Sequence, residues 1–462
     1  MRSLKILISV FISLAAFTDC EGKEPAKPVI IQPETDPGDG GETAAIAEVG
    51  EVIPAWTKGE LDIHFINTTA GESAFVIFPD GTQMLVDAAG SLVATGLVSG
   101  TIGNTGIRSR WDPLKDGYCL YGDFVSRYIR KCQAWTGNEK IDYILLTHFH
   151  NDHFGSANGL PLSEKSSEYT RQSLPLVLDN FEVGKLMDRG WPDYNYPFDM
   201  LTESANAYDC ANYVKAVKWH VANSGLKAER FVAGSDSQIT MVRDASAYPG
   251  FTVRNLAVNG EIWTGKGTET VKTFPELKDI KVANKASVAS ADNCPQENHM
   301  SAALKISYGN FDYFGGGDLQ FNGMSSFDWK DIESPVAKVC GAVEVMKADH
   351  HGSANTNGCT EKSFAMKYLK PQCWVVNGWT DAHPRQATFE SVTGYLKDAD
   401  VFLTNSCSDM EAYKDYSKRV KGDNGHIVIR VIDGGARYYV LTLSDSDEKM
   451  TVRKIAGPYI SR

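Results

Sequence analysis

Residues 147–155 read Thr-His-Phe-His-Asn-Asp-His-Phe-Gly, which places three histidines and one carboxylate between positions 148 and 153. The stretch follows the apolar run at residues 141–146, which predicts a buried strand. Side chains two positions apart share a face of an extended chain, so His148 and His150 can bind one metal ion. The chain then turns, and Asp152 with His153 can reach a second ion. Imidazole nitrogen and carboxylate oxygen are ligands of hydrolytic zinc, so this motif predicts a zinc site at a strand end.

Further candidate ligands follow other predicted strands in the same way. Asp318 comes directly after the run Tyr-Phe-Gly-Gly-Gly at residues 313–317, whose glycines let the backbone approach a site closely. Asp87 ends an early hairpin, and His351 follows another apolar run. His299 lies nineteen residues before Asp318. The repeated order of apolar strand, ligand and glycine predicts a site on the rim of a sheet.

The composition is that of a globular protein with an acidic surface. The chain has 462 residues, of which 42% are hydrophobic and 23% charged. A chain of this length can bury at least one large core. The formal net charge of −12 argues against nonspecific binding of nucleic acid. Long nucleic acid is therefore not a favoured partner.

The N-terminus has the pattern of an export signal. Arg2 and Lys5 precede an apolar run at residues 6–17, which predicts a signal peptide over residues 1–20. Cys20 favours a lipoprotein signal over simple secretion. Residues 21–51, rich in Pro, Glu, Gly and Ala, predict a flexible tether. We therefore expect an exported protein, lipid-anchored at a bacterial membrane or cell surface, that contacts the membrane only through this anchor.

Eight cysteines remain after Cys20. An even number in an exported protein permits disulfides, although the sequence does not assign the pairs. None of the cysteines has the CxxC spacing of a thiolate zinc site.

The coarse pattern of the chain alternates strands and helices. Strands are predicted at residues 61–67, 73–78, 83–86, 141–146, 302–308, 311–314, 343–348, 373–377, 427–431 and 438–443. Helices are predicted at residues 123–132, 361–369 and 386–396. This alternation, with hairpins at both ends, indicates a layered α/β fold in one domain over residues 52–462. Residues 160–291, approximately, carry no metal-ligand motif and predict an insertion or an elaboration that faces the substrate.

The chain resembles the metallo-β-lactamase-fold hydrolases over most of residues 60–445. The HxHxDH motif and the later His299, Asp318 and His351 carry this resemblance. Within that group the chain is most similar to the metallo-hydrolase domains of ComEC-type DNA-uptake proteins and to choline-phosphate-esterase-like enzymes. The closer likeness lies in residues 78–81 with Asp87, in residues 297–301, in the glycines before Asp318, and in residues 350–353 and 383–384. The resemblance implies a four-layer αββα sandwich with a long insertion.

The resemblance also implies two zinc ions per chain. The first zinc would be held by His148, His150 and His299, the second by Asp152, His153 and His351, with Asp318 as a bridge between them. His350 or His351 could each be the last ligand, and His351 is favoured because the family's final histidine directly precedes glycine. Asp87 would orient the ligand loop.

The implied chemistry is hydrolysis by a metal-activated water. Asp152 would assist proton transfer, and His350 or His383 would donate to the leaving group or bind a substrate oxygen. The histidine at position 150, in place of a glutamate, favours zinc over the di-iron relatives.

These expectations predict an exported zinc-dependent hydrolase with a phosphodiesterase-type activity on a small-molecule or phosphodiester substrate. One alternative is a lactone, thioester or amide hydrolase of the same fold. Another is a non-catalytic surface binding protein, against which the full set of ligands argues, since binding alone does not need a complete two-metal site.

Overall fold

The computed structural model describes residues 46–69, 71–88, 111–112, 117–118, 120–279, 294–321, 327–378, 383–446 and 448–462. The predicted signal over residues 1–20 with Cys20, the predicted tether up to residue 45, Cys119 and the last part of the predicted insertion lie outside these residues. In the described ranges, no helix has both the length and the apolar character needed to cross a membrane. Six of the cysteines that the structure describes are free thiols, namely Cys132, Cys210, Cys294, Cys340, Cys359 and Cys373.

Most strands of the described chain belong to two large sheets. The strands are β1 Leu61–Phe65, β2 Ala74–Ile77, β3 Gln83–Val86, β4 Trp111–Asp112, β5 Gly117–Tyr118, β6 Ile141–Leu145, β7 Val183–Asp188, β8 Lys227–Arg230, β9 Phe251–Val258, β10 Glu261–Trp263, β11 Thr270–Lys272, β12 Ala303–Tyr308, β13 Phe311–Gly315, β14 Val345–Lys347, β15 Cys373–Val376, β16 Asp400–Leu403, β17 Val420–Gly422, β18 His426–Ile432, β19 Arg437–Leu443 and β20 Val452–Ile460. The first sheet has the order β20-β19-β18-β1-β2-β3-β6-β7-β8, and the second has the order β11-β10-β9-β12-β13-β14-β15-β16-β17. Each sheet is antiparallel in one half and parallel in the other, since β3-β6-β7-β8 and β13-β14-β15-β16-β17 pair in parallel.

The helices cover the outer faces of the two sheets. They are α1 Tyr121–Thr136, α2 Asn151–Phe154, α3 Ser173–Asn180, α4 Ala207–Asn223, α5 Glu333–Cys340, α6 Ala365–Leu369, α7 Gln386–Tyr395 and α8 Tyr416–Arg419. Helices α1, α3 and α4 pack in one hydrophobic cluster with the outer face of the first sheet, and α5, α6 and α7 pack in another with the second sheet. A third cluster lies between the sheets and joins apolar side chains of both. The four-layer αββα sandwich that the resemblance implies is therefore confirmed.

The local sequence explains why these elements form. Strand β18 is buried along almost its whole length, as expected for a strand covered on both faces. Helix α1 buries residues at helical spacing, including Phe124, Tyr128 and Cys132, so it presents an apolar stripe to the sheet. It ends at Gly137, whose left-handed backbone (φ 65°) closes the helix because glycine has no Cβ to clash there.

All the predicted strands are present in the structure, within a few residues of their predicted bounds. The helix predicted at residues 361–369 is wrong in its first half, because α6 begins only at Ala365. Thr360 and Ser363 instead close a turn, in which Ser363 N–H donates to Thr360 Oγ1 at 3.0 Å and Thr360 N–H donates to Ser363 O at 2.8 Å. The described part of the predicted insertion also supplies strands β7 and β8 to the first sheet and β9–β11 to the second. Much of this stretch is therefore part of the sandwich.

A buried ion pair between β1 and β18 provides a test of the fold. The guanidinium of Arg430 binds the carboxylate of Asp62 through two nitrogens, with Nη2 at 2.7 Å from Oδ2, and both side chains are buried. Burial raises the pKa of Asp62, but Arg430 overcomes this effect and lowers the pKa to about 2. Because this folded-state pKa lies below the unfolded value, the stabilisation is present at neutral pH and is lost as the pH falls towards 2.

We expect Asp62→Asn to lower the free energy of unfolding at pH 7 by about 3–5 kcal/mol, because the buried guanidinium of Arg430 then keeps only Glu60, at 3.8 Å, as a charged partner. Urea unfolding measures the change, and the difference from the unchanged chain should shrink as the pH is lowered from 4 towards 2. Asp433→Asn is the control, since Asp433 pairs with Arg437 at an exposed position and should contribute less than about 1 kcal/mol. Equal losses in the two variants would contradict the prediction.

Candidate metal centre

The HxHxDH motif lies where β6 meets the short helix α2. Strand β6 ends at Leu145, and His148 and His150 follow in the loop. Asp152 and His153 belong to α2 itself. Nε2 of His148 lies 3.1 Å from Nδ1 of His150, and the two imidazole rings meet edge-on at an interplanar angle of 75°. The motif thus brings its four side chains to one end of the first sheet.

Asp318 joins two groups of potential metal ligands. One group contains Glu72, His153, Asp318 and His351, and the other contains His148, His150 and Asp318, with the ligand atoms of each group within 4.8 Å of one another. Oδ2 of Asp318 lies 3.2 Å from Nε2 of His153, 3.5 Å from Nε2 of His351 and 3.8 Å from Nε2 of His148. A single carboxylate oxygen therefore faces three imidazole nitrogens, which suits a carboxylate shared between two cations.

The atoms at this centre fit a metal ion. Nε2 of His153 and Oδ2 of Asp318 are buried, and neither has a hydrogen bond of acceptable geometry with the described residues. Buried polar atoms without a partner are rare because they lose the hydrogen bonds they made with water. A divalent cation between them would interact favourably with both atoms.

The protonation states at the centre also suit metal binding. Burial, and next the neighbouring His153, lower the pKa of His148 well below its usual value, so this imidazole is neutral. Burial raises the pKa of Asp318, but His153, His351 and Lys347 together lower it well below the ordinary range. Metal ligands must be neutral imidazoles and ionised carboxylates. For His153, burial lowers the pKa, but Asp318, Asp87 and Asp152 raise it well above normal. The three carboxylates therefore favour a positive charge at His153, and a bound metal ion would supply this charge in place of the proton.

Asp87 fixes the ligand loop through contacts with Thr147 and His153. Its Oδ1 accepts the N–H of Thr147 at 2.8 Å, and its Oδ2 accepts the hydroxyl of Thr147 at 2.7 Å. Oδ2 also lies 2.8 Å from Nδ1 of His153. Because this oxygen accepts hydrogen bonds, Nδ1 of His153 is the donor and Nε2 is directed to the cluster. Asp87 has a left-handed backbone (φ 56°), which indicates that the surrounding contacts hold it in place.

Of the two adjacent histidines, the structure places His351 in the cluster. Nδ1 of His351 lies 3.0 Å from the carbonyl oxygen of Asn377, which fixes the ring so that Nε2 faces Asp318. The imidazole of His350 points instead to the side-chain amide of Asn298, at 3.1 Å from Nε2. Both histidines have a left-handed backbone, with φ values of 45° and 54°.

The predicted catalytic side chains lie around this cluster. Oδ2 of Asp152 is 3.3 Å from Nε2 of His351, and its side chain is 15% exposed, so it reaches both the cluster and the solvent side. The ring of His383 packs edge-on against that of His351, with 6.1 Å between the ring centroids. Burial lowers the pKa of His350 to about 4 and that of His383 to about 3, so both imidazoles are neutral near pH 7.

His299 lies outside both groups of ligands. Its Nδ1 accepts the backbone N–H of Gln296 at 3.1 Å, within the helical turn Glu297–Met300. Its Nε2 lies 3.1 Å from the side-chain amide nitrogen of Gln320. The structure thus does not bring His299 to the other predicted ligands of the first zinc, because this turn directs its ring to Gln320.

Two side chains at the centre were missed by the sequence analysis. Glu72 belongs to the group of His153, and the buried ammonium of Lys347 lies 2.5 Å from Oε2 of Glu72 and 3.5 Å from Oδ1 of Asp318. The register of the hairpin, in which Ala74 pairs with Val86, is the signal that could have located Glu72 beside Asp87. Burial lowers the pKa of Lys347, but Glu72 and Asp318 raise it above its normal value, so this side chain is a fixed positive charge.

The glycines before Asp318 are required by close contacts. A Cβ on Gly316 would lie 2.1 Å from Oδ1 of Asp349. Gly317 has φ 57°, and a Cβ there would lie 3.0 Å from the Cβ atoms of Ser301 and Thr147. The turn can therefore bring Asp318 against the ligand loop only with glycine at these positions.

Part of the chain matches a known protein family. Residues 68–198 match the family model of the metallo-beta-lactamase superfamily, a range that includes Glu72, Asp87 and the HxHxDH motif. The two sheets, their outer helices and this match establish the metallo-β-lactamase fold. The comparison with curated proteins finds no significant match.

Several solved structures are similar to the chain at low identity. A diphosphatase of the PhnP family has 10% identity and a TM-score of 0.31, over 81% of this chain and 99% of that chain. The metallo hydrolase Igni18 from Ignicoccus hospitalis has 12% identity and a TM-score of 0.35, over 80% and 98% of the two chains. The diiron β-hydroxylase CmlA from Streptomyces venezuelae has 11% identity and a TM-score of 0.34, over 82% and 55%.

Proposed function

We propose that the protein is an exported hydrolase that binds two zinc ions and cleaves small phosphodiesters. The observation that carries this proposal is the position of Asp318, whose Oδ2 lies between 3.2 and 3.8 Å from three imidazole nitrogens. A protein that only binds a small molecule does not need two groups of metal-binding side chains that share one carboxylate. Such sharing is expected where two metal ions act together on one bond.

The residues at the centre would have three different roles: to bind metal, to accept a proton and to orient the substrate. His148 and His150 would hold one ion, Asp152, His153 and His351 the other, and Asp318 would contact both. When bound, the ions would polarise the scissile group and make a water molecule more acidic. Asp152 is the partly exposed carboxylate at the centre, so it can accept a proton from that water. The neutral imidazoles of His350 and His383 can donate hydrogen bonds that orient substrate oxygens.

The chemistry of the ligands supports zinc. Four of the proposed ligands are histidines, and imidazole nitrogen with carboxylate oxygen is a common zinc environment. The histidine at position 150 supplies a nitrogen in place of a glutamate, which favours zinc over the di-iron relatives of this fold.

The choice of substrate rests on the resemblance to ComEC-type domains and to choline-phosphate-esterase-like enzymes. The net charge of −12 disfavours a long polyanion, so small phosphodiesters and choline-phosphate esters are better candidates than long DNA. Export through residues 1–20 and a lipid anchor on Cys20 would place this activity at a bacterial membrane or cell surface.

A substrate panel tests the proposal. The purified, zinc-loaded chain is assayed with bis-nitrophenyl phosphate, a choline-phosphate ester, single-stranded DNA and a lactone. We expect the highest kcat/KM with one of the first two compounds. Faster turnover of the lactone would support the alternative hydrolase class, and no turnover of any ester by the zinc-loaded chain would favour a binding protein.

A further inference from the structure

The backbone of Phe149, the residue between His148 and His150, forms hydrogen bonds with side chains from two other parts of the chain. The N–H of Phe149 donates to Oε1 of Glu297 at 2.8 Å. The carbonyl oxygen of Phe149 accepts the side-chain amide of Asn206 at 3.0 Å. Each residue has one backbone donor and one backbone acceptor, and in Phe149 both groups are hydrogen-bonded. The residue that separates the two histidines therefore cannot rotate without breaking one of these bonds.

Arg189 fixes the carboxylate that makes the first of these bonds. Its Nε lies 2.6 Å from Oε1 of Glu297 and its Nη2 lies 2.5 Å from Oε2, which is a bidentate pair. The guanidinium also covers the ring of Phe149, with 4.9 Å from Cζ to the ring centroid. The side chain of Arg189 is fully buried and that of Glu297 is 11% exposed, so salt screens this ion pair less than a surface pair.

The second bond comes from the side chain of the residue at the start of α4. Asn206 directly precedes α4, yet its side chain makes no capping hydrogen bond with that helix. It reaches Phe149 instead. Arg189 and Asn206 thus contact Phe149 from the two ends of the segment 189–206. Within this segment, Nη1 of Arg189 also donates to the carbonyl of Tyr196 at 3.1 Å.

The rings of the other ligand group are oriented by different contacts. His153 is oriented by Asp87, at 2.8 Å, and His351 by the carbonyl of Asn377, at 3.0 Å. His150 lies next to the fixed peptide and is only half-buried, so its position depends more strongly on the backbone that carries it. Ordering a loose loop on binding costs conformational entropy, which a loop fixed in advance avoids.

We propose that Asn206 and the Arg189–Glu297 ion pair are positioning residues that set the zinc affinity of the His148–His150–Asp318 group, and not that of the His153–His351–Asp318 group. This inference rests on the proposed two-zinc function. It assigns to the segment 189–206 a specific role, namely control of one of the two metal positions.

The test measures two zinc dissociation constants separately. The metal-free full chain is titrated with Zn²⁺ against a chromophoric chelator, and His148→Ala identifies which constant belongs to the first group. In Asn206→Ala we expect that constant to rise about tenfold, as is typical when a supporting hydrogen bond of a ligand loop is removed. The constant of the other group should stay within about twofold of its original value.

Asn223→Ala is the matched control. Asn223 lies at the other end of α4, and its side-chain amide donates to the carbonyl of Trp219 at 2.8 Å, so the same type of bond is lost away from the metal loop. Neither zinc constant should change in this variant. Glu297→Gln is a second variant at the same peptide, and it should shift the first constant in the same direction as Asn206→Ala.

Thermal unfolding of the metal-free proteins separates positioning from general stability. An equal rise of both constants in Asn206→Ala, or unchanged constants with a lower Tm, would overturn the inference. If the unchanged chain binds no zinc, both the proposed function and this inference fail. If it binds two ions and Asn206→Ala alters neither constant, the inference alone fails.

Discussion

Asp318→Asn should remove both metal ions from the protein and lower kcat/KM by at least about a thousandfold, since metal assistance contributes several kcal/mol to transition-state stabilisation. Asparagine has nearly the same shape as aspartate but carries no negative charge. Oδ2 of Asp318 is the atom that both ligand groups share, at 3.2 Å from His153 and 3.8 Å from His148. Loss of its charge therefore weakens both groups at once. Elemental analysis of the dialysed protein and initial rates with the best substrate of the panel measure the two effects.

Asp312→Asn is the control on the same hairpin. Asp312 lies near the opposite end of β13, where it pairs with Lys305 at 2.9 Å, and it takes no part in the centre. This variant should keep its zinc and its rate. The metal-free Asp318→Asn protein should be less stable than the unchanged metal-free chain, because the buried ammonium of Lys347 then keeps only Glu72 as a charged partner. Retention of both zinc ions by Asp318→Asn would refute the shared-ligand assignment.

The centre was predictable from sequence where its contacts are local. The HxHxDH motif compresses four side chains into one loop after β6, so spacing alone predicts that they meet. Asp318 and His351 could also be found, because each follows a strand that ends at the same rim of the sandwich. The structure places these residues together through strands β13 and β14, which are neighbours in the second sheet.

The contacts that sequence analysis missed are those made across the sheets. Glu72 and Lys347 come from different sheets, and their proximity depends on how the two sheets stack. Phe149 is separated in sequence from Glu297 by 148 positions and from Asn206 by 57 positions, yet it forms a hydrogen bond with each of them. No spacing rule relates such positions. His299 illustrates the converse, since its spacing from Asp318 suits a ligand but a local turn directs its ring to Gln320.

Two of the strands that escaped prediction, β8 and β20, lack a strong apolar pattern. Strand β20 is an edge strand with largely exposed residues and a Gly457-Pro458 pair, so it shows neither alternation nor an apolar run. Strand β8 is likewise an edge strand, and its four residues are polar except for Ala228. Edge strands bury only part of their surface, and so their sequences carry a weaker signal than those of β1 or β18.

Removal of the metal ions should abolish hydrolysis and also destabilise the folded chain. In the metal-free state, Asp318, Asp152 and Asp87 are buried or nearly buried carboxylates in one cluster with His153. A ligand that binds only the folded state stabilises it by about 2.7 kcal/mol per site when present at a hundred times its Kd. Two sites should therefore raise the free energy of unfolding by about 5 kcal/mol in zinc-saturated protein. Thermal unfolding with and without a chelator, followed by zinc addition, measures this change together with the recovery of activity.

The Asp318→Asn variant makes this experiment specific to the centre. Zinc that binds to surface carboxylates or to the free cysteines would raise the Tm of the variant as much as that of the unchanged chain. Binding at the shared carboxylate predicts that the variant shows little or no rise. Manganese and ferrous iron serve as competitors, because a centre rich in imidazole should prefer zinc to manganese at equal concentration. Full recovery of activity with iron but not with zinc would contradict the assignment of zinc, while it would leave the two-metal arrangement around Asp318 intact.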